Sequence, residues 1–355
     1  MKLLQELSVD RKRVLVRCDF NVPLKDNGDI ADDFRVQQAL PTIRFLLARE
    51  AKIVLLSHLG DPEDTDTRFS MDAAGKRLAE LLGVLVQRAH DCVGNEVKKK
   101  TADLKAGEIL LLENVRFHAG EAANDQEFAA ELAALGEVFV HDAFSVCHRE
   151  HASVVGVPRL IPSGAGLLLQ KEVSVLERVT KNVARPLVVI VGGAKIESKL
   201  PFLERMSGFA DTLLVGNLLA REALEKKIVF SRPERVVFPK DGAPDNENAL
   251  DIGGKTIADF TRRIQGAKTV VWAGPLGKYE LAAYASGSLE IARAIIKSKC
   301  YSIAGGGNLG DFLGRGGFRE SFSHVSTGGG AMLAFLSGAV LPGLQALNYY
   351  GDKKS

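Results

Sequence analysis

The chain has 355 residues, 46% of them hydrophobic and 25% charged, which is typical of a soluble globular protein long enough for two cores. Its 46 basic and 44 acidic residues nearly cancel, so no global field favours nucleic acid as a partner. Four widely spaced cysteines without a CxxC pair, no signal-like N-terminal segment and no membrane-length apolar window predict a cytoplasmic protein with reduced thiols and no membrane partner.

Short runs rich in Val, Ile and Leu alternate with stretches of helical period, as expected for parallel sheets covered by helices. The first half contains predicted strands at 14–20, 52–58, 84–87, 108–115 and 137–144, with helices predicted over 34–49 and 125–136. The second half contains predicted strands at 186–193, 212–216, 235–239, 268–274, 301–307 and 322–330. The alternation predicts an α/β protein with two doubly wound parallel-sheet domains.

A long amphipathic segment, 166–182, lies between Pro162 and Pro186 and is the best candidate for a hinge helix between the two domains. The predicted boundaries are therefore 1–165 for the N-terminal domain, 166–182 for the hinge helix and 183–340 for the C-terminal domain. The last stretch, 341–355, is expected to return to the N-terminal domain.

Polar side chains follow the predicted strands of the first half, where ligands of open parallel sheets bind. They include Asp19, Asn21, His58, Arg116, His118, Asp142, His148, Arg149 and His151, with Arg35 at the start of the first helix. Three guanidinium groups and several imidazoles at one edge suit a small phosphorylated carboxylate. The alternative is scattered surface charge. A metal pair at His148 and His151 lacks further ligands at a usual spacing, so no metal site is predicted.

Glycine-rich turns follow three strands of the second half. They are VGGAKIESK (191–199), which carries Lys195 and Lys199, together with AGGGNLG (304–310) and STGGGAM (326–332). Each joins a strand to a helix, whose free N–H groups and positive dipole end can hold phosphate. Glycines also serve tight turns and close packing, but three such turns on one edge favour phosphate binding.

Gly305, Gly307 and Gly310 also satisfy the GxGxxG pattern of dinucleotide-binding proteins. The next strand ends in Val325-Ser326-Thr327, without the acidic residue that would hold a ribose hydroxyl, so a dehydrogenase is disfavoured. A GxxxxGK[ST] sequence is missing as well, which excludes a P-loop enzyme.

The ordered motifs resemble those of phosphoglycerate kinases from end to end. They are RVLVRCDFNVPL (13–24), DDFRV (32–36), SHLG (57–60), LLENVRFH (111–118), DAFSVCHREHAS (142–153), VGGAKIESK (191–199), VVWAGPLGKYE (270–280), IAGGG (303–307) and SHVSTGGGA (323–331). The resemblance implies a monomeric glycolytic kinase whose N-terminal domain binds 3-phosphoglycerate or 1,3-bisphosphoglycerate and whose C-terminal domain binds Mg-ADP or Mg-ATP. It also implies direct phosphoryl transfer when the hinge closes the domains.

The resemblance also implies roles for individual residues. The glycerate-binding set would be Asp19, Asn21, Arg35, His58, Arg116 and Arg149. The nucleotide-binding set would be Gly192, Gly193, Lys195, Lys199, Glu280, Gly306, Gly307 and Asn308, with Glu280 on the ribose. Arg35, Lys195 and Lys199 would neutralise charge during transfer. Taken alone, Glu280 could equally be an exposed helix acid.

Several positions depart from the usual family sequence. Asp61 replaces a positive residue, the usual NDAFG is HDAFS with His141 and Ser145, and WNGP is WAGP with Ala273. Asn308 replaces the aspartate expected beside the nucleotide's Mg²⁺, and the stretch 217–250 is short. Two functions therefore stay open at this point: a divergent phosphoglycerate kinase, or a catalytically impaired binding protein that retains the glycerate site.

Overall fold

The computed structural model describes residues 1–62, 65–244 and 249–351. The chain divides into two compact units, one formed by 1–173 with the C-terminal segment from 340, the other by 174–339. The division falls inside one helix, α6. Residues 245–248 of the short stretch and 352–355 of the C-terminal segment lie outside the described residues.

The first unit is built on a six-stranded parallel sheet in the order β3-β4-β2-β1-β5-β6. Its strands are β1 (Arg13–Arg17), β2 (Lys52–Leu56), β3 (Val86–Arg88), β4 (Ile109–Leu111), β5 (Val138–His141) and β6 (Ser163–Ala165). Its helices before the connection are α1 (Phe34–Leu47), α2 (Asp72–Leu82), α3 (Asn95–Asp103), α4 (Ala119–Ala122) and α5 (Gln126–Ala133).

Both faces of this sheet are buried, which explains the continuous apolar runs in its strands. Val14 and Val16 of β1 pack on one face in a cluster that includes Ile43 of α1. Leu15, which points the other way, joins the second cluster with Leu132 of α5. The alternation along one strand therefore supplies two hydrophobic cores.

The helix α6 (Leu167–Lys181) leads to the second unit, whose parallel sheet has the order β14-β13-β12-β7-β8-β9. The strands are β7 (Leu187–Val191), β8 (Thr212–Val215), β9 (Val236–Val237), β12 (Thr269–Ala273), β13 (Tyr301–Gly305) and β14 (His324–Ser326), with a small antiparallel pair β10 (Gly242–Ala243) and β11 (Asp251–Ile252). The helices are α7 (Leu200–Phe209), α8 (Asn217–Glu225), α9 (Gly254–Gln265), α10 (Ser286–Ser298), α11 (Gly307–Arg315) and α12 (Gly329–Ser337).

After α12 the chain forms α13 (Pro342–Ala346) in the first unit, where the Gly343 amide donates to the Cys147 carbonyl at 2.9 Å and the N-terminal ammonium donates to the Asn348 carbonyl at 2.7 Å. The predicted α/β class with two parallel sheets is confirmed. Within the described ranges, none of the helices combines the length and apolarity that crossing a bilayer requires.

The strand orders place a switch point in each sheet, where successive connections leave in opposite directions. In the first sheet it lies between β1 and β5, and in the second between β7 and β12. Ligands of doubly wound sheets bind in the crevice outside the carboxyl ends of the strands at such points. We therefore expect a binding site at the loops that follow these four strands.

Candidate active site

The loop after β1 carries a buried carboxylate that organises its neighbours. Asp19 is 3% exposed and lies 2.9 Å from the Nη1 atom of Arg35. It accepts hydrogen bonds from the Ser145 hydroxyl, which follows β5, and from the backbone N–H of Asn21. Asp19 therefore fixes the Arg35 guanidinium at the switch point of the first sheet.

Asn21 and Arg116 meet at the loop after β2. The Asn21 Oδ1 atom accepts from the Gly60 amide at 2.9 Å, and Arg116 donates to the Gly60 carbonyl at 2.6 Å. The exposed Asp61 carboxylate lies 3.5 Å from the Arg116 guanidinium. The aspartate that replaces a usual basic residue thus faces one of the predicted anion-binding arginines.

His58, at the end of β2, lies at the centre of the arginines. Burial lowers the pKa of His58 well below its usual value, and the charges of Arg17, Arg116, Arg35 and Arg149 lower it further. Arg149 is exposed, and in the part of the chain that the structure describes no side chain pairs with its guanidinium. The six predicted glycerate residues are therefore brought to one strand edge, with a neutral imidazole among cations.

Arg17 was not among the residues predicted for this site. It is fully buried at the end of β1, where its Nε atom donates to the Ser153 hydroxyl at 2.8 Å and its Nη2 atom lies 3.9 Å from the buried Glu121. The signal was present in VLVRCDF, because an arginine inside a buried strand must have internal partners.

The first glycine turn of the second unit, at 191–199, contacts the loop after β12 at the switch point. The Gly192 amide donates to the Ala273 carbonyl, and the Gly193 amide donates to the Pro275 carbonyl, both at 2.8 Å. A side chain at Gly192 would collide with the carbonyl oxygen of Pro275. Close backbone approach therefore accounts for Gly192, and Ala273, buried at the end of β12, lies beside this turn.

The turns after β13 and β14 also pack against one another. Gly306 has a φ of +118°, which a side chain would strain, and a Cβ atom on Gly329 would lie 2.5 Å from the Gly306 Cα. Gly307 begins α11, so its neighbours include the free amides of a helix N-terminus. The predicted glycine turns thus lie at the carboxyl ends of β7, β13 and β14, of which β13 and β14 are neighbours in the sheet.

The two predicted lysines flank the first turn. The Lys199 Nζ atom donates to the Ala194 carbonyl at 2.9 Å and would lie 3.4 Å from a Cβ on Gly193. Burial lowers the pKa of Lys199, an effect that the charge of Glu222 opposes. Lys195 is exposed and has a φ of +65°, a conformation that costs energy for a residue with a side chain. The structure therefore places both cations beside the glycines.

Asn308 is exposed in the first turn of α11, immediately after Gly307. Glu280 is exposed too, but it lies in a turn and not on a helix, which corrects the helix-acid alternative. Burial, a hydrogen bond to Asp311 and the charges of Asp311 and Glu280 raise the pKa of the neighbouring Tyr279. No hydrogen bond within the described ranges joins Glu280 to the glycine turns, and its ribose role stays a prediction.

Two other histidines of the first unit, His118 and His151, have carboxylate neighbours. His151 lies 3.6 Å from Glu121, whereas Asp91, Cys92 and His118 form a separate group whose potential ligand atoms lie within 4.8 Å. In that group the Asp91 carboxylate and the His118 Nε2 atom are hydrogen-bonded to each other at 2.6 Å. His141 is buried and its pKa falls to about 3, so it stays neutral beneath the loop.

Comparison with known proteins decides the family. A sequence model described as phosphoglycerate kinase matches residues 4–228 and 221–339 of this chain. The chain belongs to the phosphoglycerate kinase family. The phosphoglycerate kinase of Dictyoglomus turgidum is 40% identical over 97% of each chain, and that of Chloroherpeton thalassium is 42% identical over 98% of this chain and 99% of the relative.

The solved structures agree with the sequence match. The crystal structure of phosphoglycerate kinase from Pyrococcus horikoshii has a TM-score of 0.87 at 30% identity and covers 98% of both chains. The alignment with the Dictyoglomus turgidum kinase extends over 386 positions, so that relative contains segments with no counterpart among these 355 residues. The two parts of the family match meet at 221–228, inside the stretch predicted to be short.

Proposed function

We propose that this chain catalyses the reversible transfer of a phosphoryl group from 1,3-bisphosphoglycerate to ADP, which gives 3-phosphoglycerate and ATP in glycolysis and its reversal. One observation carries the proposal: within a whole-length family match, the two switch points hold complementary chemistry, arginines around His58 in one unit and glycine turns with lysines in the other. None of the comparisons favours the alternative of an impaired binding protein.

The arginines would hold the phosphorylated acid. Arg35, Arg116 and Arg149 offer charge-assisted hydrogen bonds to phosphate and carboxylate oxygens, for which guanidinium geometry is well suited. Asp19 orients Arg35, and Asn21 orients the Gly60 loop on which Arg116 rests. His58 contributes a neutral imidazole, so it can donate a hydrogen bond without adding charge.

The glycine turns would hold the nucleotide phosphates through backbone amides. Gly306 and Gly307 leave space beside the main chain for phosphate oxygens. Gly192 and Gly193, which we also assign to the nucleotide site, hold the first turn against the loop after β12, and Lys195 and Lys199 add positive charge. Phosphoryl transfer relies on positioning and on neutralising charge at the equatorial oxygens. We assign this charge neutralisation to Arg35 beside the acyl phosphate and to Lys195 and Lys199 beside the nucleotide phosphates. Glu280 would bind the ribose.

Asn308 is the residue we assign to the Mg²⁺ that accompanies the nucleotide. Mg²⁺ keeps several waters and binds largely to the phosphates, where it neutralises charge, so a single neutral carbonyl oxygen at an exposed helix N-terminus is compatible with it. Asn308 lacks the negative charge of an aspartate, and we expect weaker retention of the metal. We also propose that the protein acts as a cytoplasmic monomer.

Calorimetric titration of two matched variants tests the residue assignments. Arg116→Ala should weaken 3-phosphoglycerate binding about 10- to 100-fold, the loss expected for a charged hydrogen bond, and leave Mg-ADP binding intact. Lys199→Ala should do the opposite, so each variant controls for misfolding of the other. Loss of both ligands in both variants, or of neither, would contradict the assignment. Lys297→Ala, a change at an exposed position of α10, should alter neither binding.

A further inference from the structure

Beneath the glycerate residues lies a buried polar network that the proposed function does not use. The guanidinium of Arg17 is completely enclosed, with Nε donating to Ser153 Oγ at 2.8 Å and Nη1 donating to the Cys18 carbonyl at 2.5 Å. Glu121 balances its charge and accepts from both the amide and the hydroxyl of Ser153. Held at several points, this guanidinium cannot rotate to suit a neighbour.

The remaining contact of Arg17 is with the histidine of the site. Its Nη2 atom lies 3.2 Å from Nδ1 of His58. A guanidinium can only donate, so Nδ1 of His58 must be the acceptor and cannot carry a proton. A neutral imidazole has one proton, and in His58 that proton is therefore on Nε2.

The Nε2 atom of His58 is the atom left for a ligand. Among the residues that the structure describes, none forms a hydrogen bond with it. The described residues include a few buried polar atoms that have no hydrogen-bond partner, and Nε2 of His58 is not one of them. This atom therefore retains access to solvent. An N–H group at this position, surrounded by arginines, can donate to an oxygen of a bound anion.

We infer that Arg17 is a positioning residue for His58: it fixes the Nε2–H tautomer, so that His58 meets phosphoglycerate as a neutral hydrogen-bond donor and neither as a cation nor as a base. The role of His58 toward phosphoglycerate rests on the proposed function, whereas the tautomer follows from the Arg17 contact alone. The donor-only guanidinium at Nδ1 leaves His58 without a free basic nitrogen, which distinguishes this arrangement from a general-base histidine.

Nitrogen-15 NMR of the imidazole rings tests the inference in the unmodified protein. His58 is identified by comparison with a His58→Gln variant. We expect a pyridine-like Nδ1, a protonated pyrrole-like Nε2 and no titration of His58 from pH 5.5 to 8.5, because burial lowers its pKa and four cations (Arg17, Arg35, Arg116 and Arg149) lower it further. A protonated Nδ1, or an imidazolium near pH 7, would overturn the inference. His141 is an internal control, since its Nδ1 accepts from the Ala143 amide.

Two variants test the role of Arg17, and the double variant does so without leaving an unpaired buried charge. In Arg17→Met with Glu121→Gln both charges disappear together, and we expect His58 to become a tautomer mixture that titrates at higher pH and adds a pH dependence to the KM for 3-phosphoglycerate. Glu121→Gln alone retains Arg17 and should keep the Nε2–H form. An unchanged His58 in the double variant would refute the positioning role.

The two proposals can fail separately. If the protein formed no ATP, the proposed function would fall, but the NMR measurement would still decide the tautomer. If the tautomer were wrong while ATP formation was normal, only the inference about Arg17 would be lost.

Discussion

Asp61 shows how one residue can tune the affinity of the glycerate site. Its carboxylate is 85% exposed and lies 3.5 Å from the Arg116 guanidinium, where it would compete with an anion bound at the proposed site. We expect Asp61→Asn to lower the KM for 3-phosphoglycerate about 2- to 5-fold, the scale of an exposed ion pair. Steady-state kinetics at two ionic strengths measures this, and the gain should shrink at high salt because exposed charges are screened.

The control for Asp61 is Asp103→Asn, which removes an exposed acid at the end of α3. This residue precedes β4, whereas Asp61 follows β2. Asp103→Asn should leave the KM unchanged. An equal gain in both variants would show that net charge, and not the Arg116 contact, sets the affinity.

At the residue scale, the sequence predicted side chains at strand ends better than side chains inside strands. Asp19, Arg35, His58 and Arg116 could be placed because parallel strands bring their carboxyl ends to one edge. Arg17 could not, because only the tertiary structure shows that the Ser153 and Glu121 groups reach it through the core. For the same reason, the sequence did not predict that Asp61 contacts Arg116.

At the element scale, contacts between glycines determine how closely the turn after β13 approaches the turn after β14. A Cβ atom on Gly329 would lie 2.5 Å from backbone of Gly306, so Gly329→Ala must separate the turns after β13 and β14. We expect weaker Mg-ADP binding and reduced stability, measured by calorimetry and denaturant unfolding.

Gly310→Ala is the matched control in the same part of the fold. Gly310 lies inside α11 with no atom within 4 Å of the added Cβ, so alanine should stabilise the protein by about 0.5–1 kcal/mol and preserve nucleotide binding. Indistinguishable behaviour of the two variants would mean that backbone crowding at Gly329 does not matter.

Asp142, directly after β5, is a pH-sensitive carboxyl group that contacts the start of α6. The buried Asp142 accepts a hydrogen bond from the Leu168 amide at 2.9 Å. Burial raises the pKa of Asp142 to about 7, although hydrogen bonds from Thr42, Leu169 and Leu168 oppose this shift. Between its ordinary pKa and pH 7 the folded state therefore binds more protons than the unfolded state. Its contribution to stability falls as pH rises, by up to about 1.4 kcal/mol per pH unit.

Asp142→Asn removes this titration while it keeps the oxygen that accepts from α6. The free energy of unfolding of the parent relative to this variant should decrease from pH 5 to pH 8 and then level off. Urea unfolding at four pH values provides the measurement. Parallel curves for the two proteins across that range would contradict the shifted pKa.

Most elements could be predicted, and the exceptions have physical reasons. The apolar period correctly indicated α6 at 166–182, observed as Leu167–Lys181. Strand β6 was missed because Ser163–Ala165 is short and has almost no apolar side chain, and its pairing depends on β5. The strand predicted over 301–307 ends at Gly305, because Gly306 turns the backbone to positive φ.

At the scale of the whole molecule, the chain forms two compact units, and each holds one set of the predicted site residues. The family and the parallel sheets are established, whereas the functional boundaries and the roles of the site residues stay predictions. The short stretch 217–250 and Asn308, two of the departures from the usual family sequence, both lie in the second unit. The central claim is therefore that the second unit binds the nucleotide in a way that supports phosphoryl transfer.

The most direct test is ATP formation by the purified protein from 1,3-bisphosphoglycerate and ADP, followed by luminescence with and without Mg²⁺. We predict ATP formation that depends on Mg²⁺ and becomes faster in Asn308→Asp, which restores a carboxylate at the start of α11. The account would be contradicted if both substrates bound but neither the parent protein nor Asn308→Asp formed ATP at any Mg²⁺ concentration.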